Sequence, residues 1–236
     1  MLDWIRNKDP KVSLGHASIL AKLLQEQKAL GQRDSAFIRH FEYDVKNSFQ
    51  FEENSLHKQN YLFEEFCYQV AEKAMSISPD MISIGAFIWN EIHVQRILKI
   101  LREDFHYKNK ICLGGPQISY ALPSTLESFY PNADIFIRGY AEDSFTKLVF
   151  NQAEAKRKLT TNVSKVPGVH LYGEVDLGLQ SKSSLESLPS PFLDSIIHLD
   201  RSFIRWESQR GCPFKCTFCQ HRDSYERIIM FVTNRA

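Results

Sequence analysis

Met81-Ile-Ser-Ile-Gly-Ala-Phe-Ile88 is a short apolar run, rich in β-branched residues, that follows Pro79-Asp80 and is bounded by polar residues. A run of this length and composition is typical of a central strand that is buried on both faces. A helical pattern over 92–105 comes next, and then a second apolar strand pattern over 110–113. This strand–helix–strand unit predicts a parallel sheet with crossover helices.

The segments on either side of this unit continue the alternation of helices and strands. Predicted helices cover 14–30, 61–77, 92–105, 123–129, 142–150 and 225–232, and predicted strands cover 36–45, 81–88, 110–113, 134–138 and 203–207. Gly31 is a natural stop for the first helix, and 166–173 predicts a turn and a closing hairpin arm. We therefore expect an α/β domain over 1–175, a linker over 176–200, and a separate region over 201–236.

Composition and charge exclude several classes of function. The chain has 236 residues, 43% of them hydrophobic, and a net charge of +1 at pH 7. A nearly neutral protein is not drawn to nucleic acid or to an anionic membrane, so we expect neither as a partner. The sequence holds no apolar run of the roughly 20 residues that cross a bilayer, and its N-terminus lacks a signal-peptide profile. We expect a cytoplasmic protein whose thiols stay reduced.

Three predicted turns follow the strands, at 85–90, 114–117 and 138–142. Because ligands bind at the carboxyl ends of parallel strands, these turns are candidate binding loops. Gly114 and Gly115 either let the backbone approach a bulky ligand or only make a tight turn from strand to helix. Arg138 and Glu142 either belong to a site or pair across their turn or cap a helix.

Arg210-Gly-Cys-Pro-Phe-Lys-Cys-Thr-Phe-Cys-Gln-His221 carries three cysteines in C-x3-C-x2-C spacing. Three such thiolates can bind one metal centre and leave one coordination position open for chemistry. With His221 the same cysteines could form a closed Cys3His zinc site. A disulfide is disfavoured, because one of the three cysteines would stay unpaired and nothing marks the chain as secreted. Cys67, in a predicted helix, is interpreted as core packing.

This cysteine loop resembles that of the radical S-adenosylmethionine (SAM) enzymes, whose pattern is C-x3-C-x-aromatic-C at the end of the first strand of a partial barrel. The resemblance implies that Cys212, Cys216 and Cys219 bind a [4Fe-4S] cluster, whose fourth iron chelates SAM. It also implies that Phe218 packs near the adenine. The reduced cluster would cleave SAM to a 5′-deoxyadenosyl radical, with an electron donor such as flavodoxin or ferredoxin.

The upstream motifs resemble the cobalamin-binding domain that precedes the barrel in one large class of radical SAM proteins. In that class a strand ends in Gly-Gly-Pro, as in Gly114-Gly115-Pro116, and a later strand runs as Asp134-Ile-Phe-Ile-Arg-Gly139 does here. Tyr140 and Ala141 depart from the class pattern, Glu142 keeps it, and Leu188-Pro-Ser-Pro191 is similar to the class linker. The resemblance implies a Rossmann-like domain with cobalamin contacts at Ser83, Gly85, Gly114, Gly115 and Gly139.

The Asp-x-His-x-x-Gly signature that supplies an axial histidine in many cobalamin proteins is absent. His16 and His93 do not match it and are interpreted as ordinary helix residues. By resemblance, about five further strand–helix units would complete the barrel. We therefore expect region 201–236 to hold only the beginning of the barrel, and the isolated chain not to be a competent enzyme unless a second chain supplies the rest.

The sequence thus leaves three hypotheses. The first is a radical SAM protein that modifies, and with cobalamin methylates, an unidentified small molecule or peptide. The second is a corrinoid-binding or partner-binding module without catalysis. The third is a structural protein stabilised by zinc.

Overall fold

The computed structural model describes part of the chain. The described residues are 1–5, 13–31, 37–45, 56–158, 166–192, 196–197, 206–211, 214, 216–219 and 230–231.

Eight strands and six helices lie within this described part. The strands are β1 (Leu2–Ile5), β2 (Phe41–Asp44), β3 (Met81–Gly85), β4 (Lys110–Gly114), β5 (Ile135–Ile137), β6 (Val169–Leu171), β7 (Gln209–Arg210) and β8 (Met230–Phe231). The helices are α1 (Leu14–Leu30), α2 (Leu56–Met75), α3 (Glu91–Glu103), α4 (Pro116–Ser119), α5 (Leu126–Phe129) and α6 (Glu142–Lys158).

The main sheet has six strands in the order β2-β1-β3-β4-β5-β6. The first five are parallel, and β6 pairs antiparallel with β5 at the edge. The predicted parallel sheet is therefore a mixed, mostly parallel one. Its order has a switch point between β1 and β3, where consecutive connections leave in opposite directions, as in doubly wound α/β sheets. The fold is compatible with a Rossmann-like domain.

Helices cover both faces of this sheet. On one face, α2 and α3 pack against inward side chains of the central strands, such as Ile84 and Leu113. On the other face, α1 and α6 pack against the alternate side chains, such as Cys112 and Ile135. Because strand side chains alternate between faces, a central strand must be apolar throughout to be buried on both. Each aliphatic side chain buried in this way contributes roughly 1.5–3 kcal/mol.

The helix prediction over 14–30 is confirmed by α1. Ser13 precedes the helix as its N-cap, with its side chain accepting from the His16 amide, and Gly31 ends it with a φ of 74°. A left-handed φ costs a glycine little, which explains the stop at this position. Within residues 1–175, two elements were not predicted: β1, which is only four residues long, and the short helix α4.

Both elements predicted for the C-terminal region, over 203–207 and 225–232, differ from the structure at the residues that it describes. The helix predicted over 225–232 is wrong at Met230–Phe231, which form a strand paired antiparallel with Gln209–Arg210. The strand predicted over 203–207 is wrong at its end, because Trp206 and Glu207 are not in a strand and β7 begins at Gln209. The rest of both predicted elements lies outside the described residues.

Within the part of the chain that the structure describes, no helix is long and apolar enough to cross a membrane.

Candidate cofactor site

A cavity of about 240 Å³ lies at the carboxyl ends of β3, β4 and β5, next to the first turns of α1 and α6. All five residues proposed from the sequence as cobalamin contacts line it. They are Ser83, Gly85, Gly114, Gly115 and Gly139. The wall between them is mostly apolar, with Ile19, Phe87 and Phe145 among its members. The three predicted strand-end turns therefore meet at one place, as expected for a parallel sheet.

Two of the five glycines in this wall are required by the backbone conformation. Gly115 has a φ of 99°, and a Cβ there would lie 2.7 Å from the carbonyl oxygen of Ala86. Gly139 has a φ of 82°, and a Cβ there would lie 2.4 Å from the carbonyl oxygen of Ser181. A side chain at either position would overlap the backbone of another segment, so both positions require glycine. Of the two explanations for the glycine pair, the tight turn accounts for Gly115.

Gly114 is different, because its missing side chain leaves open space on the cavity side. A Cβ at Gly114 would meet nothing nearer than the Ile137 carbonyl oxygen at 3.9 Å. A Cβ at Gly85, in contrast, would lie 3.0 Å from Cε1 of His16 and 3.1 Å from the Phe87 ring. Gly85 thus makes room for a neighbouring ring, and Gly114 is the glycine whose absent side chain enlarges the cavity.

Asn90 positions the turn that carries Gly85. Its buried side chain donates to the Gly85 carbonyl oxygen at 2.9 Å and accepts from the Phe87 amide at 2.8 Å. These two bonds satisfy the turn's backbone groups away from water. The sequence analysis did not single out Asn90, although a short amide side chain just before a helix is a recognisable turn signal.

His16 is a member of the cavity wall that the sequence analysis missed. It lies in α1, as predicted, but it is buried beside Gly85 in the first helix after β1. Its Nδ1 lies 2.9 Å from the Ser13 hydroxyl, which orients the ring. The signal was a histidine at the start of a helix following a strand, and it went unused because β1 was not recognised. His93 packs in the core against Phe63 and Phe66, and burial lowers its pKa to about 4.

Arg138 holds together the loops behind the cavity. Its guanidinium is 2% exposed, and it bonds both carboxylate oxygens of Asp176, at 3.1 and 2.5 Å. It also donates to the carbonyl oxygens of Ile118 and Ala121, at 2.9 and 2.7 Å. Burial acts to raise the pKa of Asp176, but the hydrogen bonds that it accepts outweigh this and leave the pKa below its ordinary value.

Glu142 lies in the cavity wall and pairs with Arg210, two residues before the first cysteine of the loop. The two carboxylate oxygens accept from Arg210 at 2.5 and 3.2 Å, and both residues are buried. Arg210 also donates to Glu207 at 2.8 Å, and its guanidinium lies 4.2 Å from the centre of the Tyr140 ring. The explanation that Arg138 and Glu142 pair with each other is therefore wrong.

The cysteine loop is described in part. Cys216 is exposed and Cys219 partly exposed, and the Cys219 amide donates to the Cys216 carbonyl oxygen at 3.0 Å, which closes a short turn. Phe218 is 91% exposed. Cys212 and His221 lie outside the described residues, and the described ones bring no three metal-binding side chains together.

The loop lies near the mouth of the cavity. Burial raises the pKa of Tyr120 to about 12. Burial also raises the pKa of Tyr140, against the hydrogen bond from the Gly211 amide. Tyr140 itself lines the cavity and contacts Arg210, so the structure brings the segment that leads into the cysteine loop next to the strand-end cavity.

Comparison with known proteins relates the chain to methyltransferases. The cobalamin-dependent radical SAM methyltransferase TokK of Streptomyces tokunonensis is 27% identical over 157 residues, which is 61% of this chain and 22% of TokK. The 2-(S-pantetheinyl)-carbapenam-3-carboxylate methyltransferase of Streptantibioticus cattleyicolor is 26% identical over 164 residues, which is 64% of this chain and 23% of that enzyme. No protein-family model matches the chain.

The chain therefore spans less than a quarter of the length of the two curated relatives. Its similarity to them supports a relationship to the cobalamin-dependent radical SAM methyltransferases, at the level of distant homology.

Proposed function

We propose that this chain is the cofactor-binding part of a cobalamin-dependent radical SAM methyltransferase. The observation that carries the proposal is the cavity at the strand ends, which gathers all five predicted corrinoid contacts beside the cysteine loop. The distant similarity to TokK supports the same class.

The cavity fits part of a corrinoid. Its volume of about 240 Å³ is below the roughly 300–1,000 Å³ typical of sites that enclose a whole small ligand. Such a space would take part of a larger cofactor, and the strand-end turns would hold the rest of it at the open edge of the cavity. Gly114 leaves room for the enclosed part, and Ser83 offers a hydroxyl beside it. The apolar wall would exclude water from the bound face.

The cysteine loop fits an iron–sulfur centre by the chemistry of its donors. Cys212, Cys216 and Cys219 would hold a [4Fe-4S] cluster through thiolates, with one iron left for SAM and with Phe218 beside the adenine. When bound, the cluster and SAM supply a radical, and cobalamin supplies a methyl group. The exposure of Cys216 and Phe218 keeps that side of the loop accessible to SAM.

The remaining features of the proposal concern the whole protein. The domain would extend over 1–175, with a linker over 176–200 and the start of the SAM region over 201–236. The substrate would be a small molecule or a peptide, and the reductant a flavodoxin or a ferredoxin. The expected location is the cytoplasm, where reduced thiols and a reduced cluster are maintained.

A graded series at Gly114 tests corrinoid binding. Gly114→Ala, Gly114→Val and Gly114→Phe place increasing volume in the cavity at a position where the protein itself has space. We expect affinity for hydroxocobalamin, measured by absorption titration of the full chain, to fall in that order while the free energy of unfolding changes little. Ser128→Leu, an exposed substitution on the surface, is the control and should bind as the unaltered chain does. No binding by the unaltered chain would remove the corrinoid from the proposal.

Anaerobic reconstitution with iron and sulfide tests the cluster. We expect about four irons per chain and a broad visible absorption band, and loss of both when Cys212, Cys216 and Cys219 are replaced by Ala. Replacement of the buried Cys67, with Cys67→Ala, should leave the iron content unchanged. One zinc and no iron per chain would instead support the structural zinc site.

A further inference from the structure

We propose that Arg210 is a positioning residue that links the cysteine loop to the cavity, so that binding at one site changes affinity at the other. This inference rests on the proposed function, because it names the two occupants as a corrinoid and an iron–sulfur cluster. The geometry that supports it is found entirely in described residues of the chain.

Arg210 stands at the entry to the cysteine loop but is only 2% exposed. A buried guanidinium needs compensating charge and acceptors, and here both carboxylate oxygens of Glu142 and one of Glu207 supply them. The Ser183 carbonyl oxygen accepts a further bond at 3.2 Å. Glu142 lines the cavity, whereas Glu207 is partly exposed and belongs to the approach to the loop. Arg210 is thus bonded to both regions at once.

Tyr140 joins the same two regions by a second route. It lines the cavity, and its ring lies against the Arg210 guanidinium, with 4.2 Å between Cζ and the ring centre. The backbone amide of Gly211, the residue just before the cysteines, acts on its hydroxyl to lower its pKa against the effect of burial. A ligand that moves Tyr140 or Glu142 on the cavity side must therefore move Arg210 and Gly211 on the loop side. These contacts are sufficient for a structural change at one site to reach the other.

A coupling of this kind is reciprocal. If the cluster changes the affinity for corrinoid by some factor, the corrinoid must change the affinity for the cluster by the same factor. Conformational coupling between two sites is typically about 5–150-fold. A pair that only stabilised the fold would lower stability when broken but would leave this ratio unchanged.

The chain contains a matched control for that distinction. Arg138 and Asp176 form a second buried pair with two carboxylate contacts, and none of their recorded partners lies in the cysteine loop. Asp176→Asn and Glu142→Gln therefore remove the same charge from the same kind of pair. Only Glu142→Gln breaks a contact that spans both sites. Tyr140→Phe removes the hydroxyl on which the Gly211 amide acts and keeps the aromatic ring.

The test measures the dissociation constant of hydroxocobalamin for the full chain, with and without the reconstituted cluster. We expect the two constants to differ by about fivefold or more in the unaltered chain. The ratio should approach one in Glu142→Gln, should fall in Tyr140→Phe, and should persist in Asp176→Asn despite its lower stability. An unchanged ratio in Glu142→Gln, or a ratio of one in the unaltered chain, would overturn the proposal.

A second measurement needs neither cofactor. Hydrogen exchange of the peptide covering 206–219, in the chain without iron or corrinoid, should accelerate at least severalfold in Glu142→Gln and stay unchanged in Asp176→Asn. Equal exchange in all three proteins would overturn the link itself. If hydroxocobalamin fails to bind any of them, the proposed function fails, and the exchange result still decides whether Arg210 holds the loop.

Discussion

Two buried arginines stabilise two regions of this molecule, and they do so in different surroundings. Arg138 bonds Asp176 and several backbone carbonyls of the loop after β4, all within the α/β domain. Arg210 bonds Glu142 on the domain and Glu207 next to the cysteine loop. Both guanidiniums are 2% exposed. These two similar ion pairs therefore connect different parts of the chain. The Arg138–Asp176 pair joins residues within the α/β domain, whereas Arg210 joins Glu142 of that domain to Glu207 next to the cysteine loop.

The surroundings of each pair explain the difference. Arg138 is buried and donates to the carbonyl oxygens of Ile118 and Ala121 as well as to Asp176, so its interactions are fixed with the fold. Arg210 has an aromatic ring on one side and a second, partly exposed carboxylate on the other. Among the described residues its Nε has no hydrogen-bond acceptor. This arrangement is less completely satisfied, and it is better suited to change with the occupancy of a neighbouring site.

The largest effect is expected from Asp176→Ala, which leaves the Arg138 charge buried and uncompensated. We expect a loss of about 3–5 kcal/mol in the free energy of unfolding, measured by urea denaturation. Glu174→Ala, two residues earlier and exposed, should change it by no more than about 0.5 kcal/mol. An equally small loss in Asp176→Ala would show that the Arg138–Asp176 pair is not the more strongly stabilising of the two buried pairs.

Glu142→Ala should cost less, about 1.5–3 kcal/mol, because Glu207 still compensates the Arg210 charge. The same urea titration measures it, and Glu186→Ala at an exposed site serves as the comparison. If Glu142→Ala destabilised the chain more than Asp176→Ala, the Arg138–Asp176 pair would not be the more tightly fixed of the two pairs.

Acid should weaken the Arg138 pair in a defined pH range. The folded-state pKa of Asp176 lies below its ordinary value, which is about 3.9 in an unfolded chain. The corresponding stabilisation is complete above that value and is lost as pH falls through the folded-state pKa. Urea denaturation at pH 7, 4 and 3 should show a decline below pH 4 that is smaller in Asp176→Asn. Parallel curves for the two proteins would argue against a depressed pKa.

The smallest effect is expected at an exposed pair. On the surface, a guanidinium nitrogen of Arg96 in α3 lies 2.6 Å from a carboxylate oxygen of Glu64 in α2, and solvent reaches both side chains. Arg96→Ala should lower the free energy of unfolding by no more than about 1 kcal/mol, and added salt should reduce the difference. A loss as large as that of Asp176→Ala would mean that burial does not distinguish these pairs.

Much of the fold was predictable because the evidence for it is local. The run from Met81 is apolar on both faces, so it had to be a central strand, and helix α1 was bounded by its own cap and stop residues. The predicted candidate contacts also met in one cavity, because the carboxyl ends of parallel strands share one edge. The strand β1 was not predictable in this way, since four residues carry too little periodicity and its stability comes from β2 and β3.

The sequence by itself determined the alternation of strands and helices, and the residue types and spacing of the cysteine loop. It did so because those features depend on neighbours a few residues apart. Only the tertiary structure decided which charges pair, since Arg210 and Glu142 are 68 positions apart and Arg138 and Asp176 are 38 apart. It also decided that Gly115 is required by its turn, whereas Gly114 leaves open space in the cavity wall. Long-range packing selects those roles, and no local pattern records it.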